Sequence, residues 1–142
     1  MPMDSKTAIY SMNTIELAYL GDSIWEAFVR ARLVRRGSFG GHADKLHRAG
    51  VRYVNAGAQA AVIKELLPKL GEQEQALVRR ARNHKIATKA KNASTMDYKW
   101  ATAFEALVGA LYLAEEPGVL DSFMEEAAGL VENGGNRNEQ NR

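Results

Sequence analysis

Apolar residues recur along this chain with the period of an α-helix, and no segment alternates with the period of a strand over a useful length. The strongest early pattern is Leu17, Leu20, Ile24 and Phe28, with Trp25 and Val29 widening the stripe, which is the spacing of a helix face packed on a core. Asn13 or Thr14 can cap this helix, and Gly37 follows its last residue, Arg36. After a glycine-rich loop the pattern predicts a short helix from His42 to Ala49. An alanine-rich helix from Tyr53 to Leu67 follows, whose Ala56, Ala60 and Ala61 allow close packing. Pro68 and Gly71 punctuate the chain before a helix from Glu72 to Asn83, and a polar loop is expected from His84 to about Asp97. Tyr98 to Ala114 is apolar on most of its circumference through Trp100, Phe104, Leu107, Val108, Leu111 and Tyr112, so it is predicted to be central. Pro117 and Gly118 are expected to end it, and an amphipathic helix from Val119 to Val131 closes the pattern. The chain of 142 residues is therefore read as one all-α domain over residues 13–131, with an irregular segment at 1–12 and a disordered polar tail at 132–142.

Composition narrows the chemistry. There is no cysteine, which excludes disulfides and thiolate metal sites, and three histidines are too few for a site rich in imidazole. No apolar run approaches the ~20 residues of a membrane helix, and residues 1–13 lack the pattern of a signal peptide, so a cytoplasmic protein with no membrane partner is expected. The net charge of +2 conceals an asymmetry. Arg79, Arg80, Arg82, Lys85, Lys89, Lys91 and Lys99 face a single acid, Asp97, giving that segment +6 and the remainder −4. Such a local excess suits an anionic polymer held at one face; a solvated helix end and loop is the plainer meaning of the same run.

Two acids stand out against the apolar pattern. Gly21, Asp22 and Ser23 interrupt the first long helix, although glycine in a helix interior costs about 1 kcal/mol relative to alanine and aspartate is also a poor interior residue. Either Asp22 is a metal ligand beside a residue that permits close approach, or it caps a second helix after a break at Gly21. Glu105 lies in the most apolar helix, with Gly109 one turn later. It is either an ion-paired or snorkelling glutamate or the second ligand of a cation site. If the two helices cross there, the acids converge on an oxygen-ligand site suited to a hard divalent ion such as magnesium.

The string LAYLGDSIWE at 17–26, followed by TAFEALVGALYL at 102–113, resembles the ribonuclease III catalytic domain, whose signature helix contains Leu-Gly-Asp-Ser and whose last long helix contains Glu-Ala-Leu-Gly-Ala. The likeness covers about residues 13–131 and is nearer to the Mini-III branch, which lacks the double-stranded-RNA-binding domain. It implies the helical bundle of the ribonuclease III endonuclease domain, with Asp22 and Glu105 as catalytic metal ligands. Magnesium is the implied cofactor, with manganese able to substitute, and the implied assembly is a homodimer that cuts both strands of a duplex. Ordinary ribonuclease III carries acids where this chain has Ala18 and Thr102; the Mini-III branch shares their absence. A further acidic ligand follows the first long helix in the larger family, and Asp44 is the nearest residue to take that place. The resemblance also implies a substrate, the paired stem at the ends of precursor 23S ribosomal RNA, and a large-subunit ribosomal protein as a further partner.

Under that implication Arg79, Arg80, Arg82, Asn83, Lys85, Lys89, Lys91 and Lys99 become candidate RNA contacts, since duplex RNA is read mainly by shape through phosphates and 2′-hydroxyls. A non-catalytic helical RNA-binding or ribosome-associated module would use the same basic segment with both acids merely structural. A third reading, a phosphohydrolase metal site of His42, Asp44 and His47, is disfavoured because five residues separate the histidines and a helix does not align them.

Overall fold

A computed structural model describes residues 5–84 and 94–140, the last six of these as backbone only. The order is α1 (Ser5–Tyr10), α2 (Thr14–Arg36), α3 (Ala43–Val54), α4 (Ala56–Leu66), a 3-10 turn (Leu67–Lys69), α5 (Glu72–Arg82), α6 (Thr95–Leu113) and α7 (Pro117–Gln140). The protein is all-α, and no helix among the described residues is long and apolar enough to cross a membrane.

Local chemistry explains the boundaries. Asn13 Oδ1 accepts from the N–H groups of Ile15 and Glu16 at 2.8 and 3.1 Å, and Gly37, at φ 71°, donates its N–H to the Leu33 carbonyl, so α2 has both expected ends. Asn55 does two jobs. Its N–H bonds the Val51 carbonyl at 3.1 Å, ending α3, while its Oδ1 accepts from Ala58 N–H at 2.9 Å, starting α4. The expected gap between residues 49 and 53 is thereby reduced to this single joint. Ser94 Oγ accepts from Asp97 N–H at 3.0 Å and starts α6 three residues before Tyr98. Pro117 does not close a helix but opens α7, where its fixed φ and missing N–H are harmless. The segment expected to be irregular at 1–12 contains α1, whose end is tied down by Arg80: one guanidinium nitrogen donates to the Tyr10 and Met12 carbonyls at 2.8 and 3.0 Å.

α6 is the central helix, packed on α2, α4, α5 and α7, with Phe104, Leu107, Val108 and Leu111 fully buried. Trp25 of α2 sets its ring edge against Phe104 at 5.0 Å between centroids and donates its indole N–H to the Tyr53 carbonyl at 3.0 Å. The closest approach is between α2 and α6. A Cβ on Gly21 would fall on the Glu105 carbonyl, and one on Gly109 would fall on the Leu17 carbonyl. The two backbones touch there, which sets Asp22 beside Glu105.

Glu132 corrects the expectation of a disordered tail from residue 132. It lies in α7 and accepts hydrogen bonds from Arg32, Arg36 and the Tyr53 hydroxyl at 2.8, 3.0 and 2.6 Å, clamping α7 to α2 and α3. The Arg32 guanidinium holds its carboxyl down at about 2; the α7 backbone continues as helix to Gln140, and residues 141 and 142 of the expected tail lie outside the described residues. A depressed folded pKa contributes stability above the ordinary carboxylate value that is lost as pH falls from about 4.5 towards 2. Glu132→Gln is expected to cost about 2 kcal/mol at neutral pH, with the difference from the unaltered protein closing in acid. Urea denaturation at both pH values checks this, and an equal loss in acid would contradict it.

Candidate active site

Asp22 is the first side chain after the α2–α6 contact, exposed at the surface, and Glu105 carries the backbone carbonyl against which Gly21 packs. Both therefore sit on the most constrained point of the bundle. Burial pushes the Glu105 carboxyl up to about 9, assisted by its hydrogen bond with Asp22 and by the negative charges of Asp22 and Glu26. Neither Asp22 nor Glu105 makes a salt bridge among the described residues; Glu26, one turn beyond Asp22, is paired with Arg30 at 3.0 Å. Among the described residues, Glu105 is thus not an ion-paired glutamate.

Two adjacent carboxyl groups with no cationic partner among the described residues, one of them half-buried, fit a hard divalent cation, which would displace the Glu105 proton. Among the described residues no three His, Asp or Glu side chains are gathered to hold an ion. Two carboxyl groups would be enough to hold magnesium, since that ion keeps several waters and takes one or two carboxylates with substrate phosphate oxygens. Ala18 is buried in the core and the Thr102 hydroxyl donates to the Tyr98 carbonyl at 3.0 Å, within its own helix, so neither of these positions adds a carboxylate to the pair.

Asp44 is not brought to this pair. Its side chain is 77% exposed in the first turn of α3 and bonds Arg48 at 3.5 Å, and the charges that bear on Glu105 are those of Asp22 and Glu26. The helical i, i+4 pairing with Arg48 explains its presence, so the candidate ligand is corrected to a surface residue. His42 precedes α3 and His47 lies within it, and they form no metal group with Asp44.

The basic candidates divide. Arg79 is exposed with no ion pair among the described residues, and Lys99 is half-buried near the start of α6. Arg80 is committed to the carbonyls that end α1. Arg82 donates to Asn83 Oδ1 at 3.1 Å and lies over the Trp100 ring, while Asn83 closes α5 with its N–H on the Arg79 carbonyl. Lys85, Lys89 and Lys91 lie outside the described residues. A second basic segment was equally countable in the sequence: Arg30, Arg32, Arg35, Arg36, Lys45, Arg48 and Arg52 face one acid, Asp44, again +6. Of these, Arg32 and Arg36 serve Glu132, whereas Arg35, Lys45 and Arg52 are exposed and make no salt bridge among the described residues.

The Ribonuclease III domain family model matches residues 15–116, a span that contains both acids. The chain is 48% identical over 120 residues to the Mini-ribonuclease 3 of Symbiobacterium thermophilum, covering 84% of this chain and 91% of that one. It is 42% identical to the Mini-ribonuclease 3 of Brevibacillus brevis, covering 84% of this chain and 88% of that one. A crystal structure of a Fusobacterium nucleatum protein superposes with a TM-score of 0.72 at 32% identity, covering 81% of this chain and 90% of that one. With the matched span holding the α2–α6 contact and its two carboxylates, this chain belongs to the ribonuclease III family, among the Mini-ribonuclease 3 proteins, and is an endoribonuclease of that type.

Proposed function

We propose that this endoribonuclease cuts double-stranded RNA at Asp22 and Glu105 with magnesium as its resident cation, manganese being able to replace it. Its proposed physiological substrate is the paired stem at the ends of precursor 23S ribosomal RNA. The observation that carries the reading is the pair of carboxylates, unpaired with any cation among the described residues, fixed on two helices whose backbones touch. Asp22 and Glu105 would hold the ion. A bound magnesium ion supplies a Lewis acid that activates water and stabilises charge on the scissile phosphate. The chain's own part is placement: Gly21 and Gly109 let the two helix backbones meet, and both carboxyl groups are carried by rigid helix rather than by loop. Asp22, on the exposed side, faces incoming polymer.

Cutting both strands needs two sites, and a homodimer supplies them. Ile15 and Tyr19 support this: they lie one turn apart on α2, and Tyr19, 85% exposed beside Asp22, is a large aromatic side chain that a second copy would cover. Arg79 and Lys99 would contact phosphates, with Lys85, Lys89 and Lys91 between them in sequence. A large-subunit ribosomal protein presenting the stem, and a cytoplasmic location, complete the reading. Binding to bare duplex is expected to be weak and steeply salt-dependent.

The test is cleavage of a long RNA duplex with magnesium. The unaltered protein is expected to cut, and Asp22→Asn, which keeps shape and removes charge, is expected to bind without cutting. Undiminished cleavage by a folded Asp22→Asn protein would refute the assignment of the site.

A further inference from the structure

Two cations from different helices converge on one indole. Lys64 at the end of α4 places Nζ 5.7 Å from the centre of the Trp100 ring, and Arg82 at the end of α5 places Cζ 5.0 Å from it. Trp100 stands on α6, which packs against both α4 and α5, and is half-buried against the core. Several of the protein's other basic side chains, Lys6, Arg30, Arg32, Arg36, Arg48 and Lys69, are offset by a carboxylate. Lys64 and Arg82 make no salt bridge among the described residues, so their charge rests on a neutral aromatic face and stays available to an anion. The Arg82 Nε–H donates to Asn83 Oδ1, which leaves its outer nitrogens to donate elsewhere. An aromatic face attracts cations without neutralising them and limits the conformations of two long side chains, which lowers the ordering cost of binding.

We propose that Lys64, Arg82 and Trp100 form a phosphate subsite for the RNA backbone, in which the two cations contact phosphate and Trp100 is the positioning residue. The proposal rests on the duplex-RNA reading above and adds to it a contact on α4, where no candidate was expected. A purely structural role for the cluster, stapling α4 and α5 to α6, is the competing account.

Binding of a fluorescently labelled RNA duplex is measured by anisotropy across a range of salt, in an Asp22→Asn background without divalent metal so that nothing is cut. Lys64→Gln and Arg82→Gln are each expected to weaken binding several-fold and to reduce the slope of log affinity against log salt by about one. Trp100→Leu is expected to weaken binding about as much as both together and to add little to the double variant, and Trp100→Phe to restore most of the loss. Lys64 is exposed, so its variant folds whatever becomes of Trp100→Leu. Unchanged affinity and slope for Lys64→Gln, in a parent that binds duplex RNA, would overturn the subsite and leave the endonuclease reading intact. A parent that binds no duplex RNA would overturn both.

Discussion

Glu105→Gln is expected to abolish RNA cleavage and, in the same stroke, to make the metal-free protein more stable at neutral and alkaline pH. The carboxyl sits at about 9 in the folded state against an ordinary value of 4.5, chiefly through burial and then through Asp22 and Glu26. Between those two values the folded state holds a proton that the unfolded state has released. Its stability is therefore fully present below about pH 4.5 and is lost as pH rises towards 9. The cost at neutral pH is on the order of 2 kcal/mol, and glutamine, which has the same shape and never ionises, does not incur it. Urea denaturation in the presence of a chelator checks this: the variant is expected to exceed the unaltered protein at about pH 8 and to match it near pH 4.5. Magnesium is expected to reverse the order by stabilising the unaltered protein through linkage and the variant hardly at all. The cleavage rate is expected to fall by roughly 10³-fold or more, since the ion's stabilisation of the transition state amounts to several kcal/mol. A variant that is less stable at pH 8 without metal would show that Glu105 holds the fold together, contrary to the site described here.

The meeting of Asp22 and Glu105 was legible in the sequence for a physical reason. Asp22 and Glu105 are acids that two apolar helices would be better without, and each has a glycine within one turn, so the sequence pattern itself marks a conflict between local preference and some other demand. The long helices were legible for a similar reason: Asn13 and Gly37 are strong boundary residues, and both hold. Features that were not legible depend on contacts between distant segments. Glu26 reads as half of an ordinary i, i+4 pair with Arg30, and only the crossing of α2 and α6 brings its charge to bear on Glu105. Arg80 stands in a basic run, yet its guanidinium is spent on backbone carbonyls about 70 residues earlier in the chain. Glu132 belongs by composition to a polar tail, and its partners Arg32, Arg36 and Tyr53 lie on α2 and α3. Asn55 joins two helices with a single side chain, leaving no glycine or proline to mark the break. Asp44 shows the reverse error, since a sequence likeness placed it near the site while its own helix offered Arg48 as a partner.

Gly21→Ala is expected to be the most damaging single methyl that can be added to this protein. Helix propensity alone favours the change by about 1 kcal/mol, because alanine is the best interior helix residue and glycine nearly the worst. Close approach decides the sign instead. The added Cβ would lie inside the van der Waals envelope of the Glu105 carbonyl oxygen and 2.9 Å from the Gly109 nitrogen, and both obstacles are backbone of the central helix, which cannot swing aside as a side chain can. The helices must separate, opening the core along Leu17, Trp25 and Phe104, for a loss of more than about 3 kcal/mol. Gly109→Ala meets the Leu17 carbonyl in the same way and is expected to cost about as much. The double variant is expected to lose less than the two losses added together, since either methyl alone already parts the helices. Gly129→Ala in α7, where a Cβ meets nothing within 4 Å, is the control and is expected to gain about 0.5–1 kcal/mol from propensity. Urea midpoints for these variants separate the two effects. A Gly21→Ala protein as stable as its parent would mean that α2 and α6 do not meet backbone to backbone. If Gly21→Ala folds at low temperature, its cleavage is expected to fall with its stability, because the contact that shuts out a methyl group is also the one that holds Asp22 against Glu105.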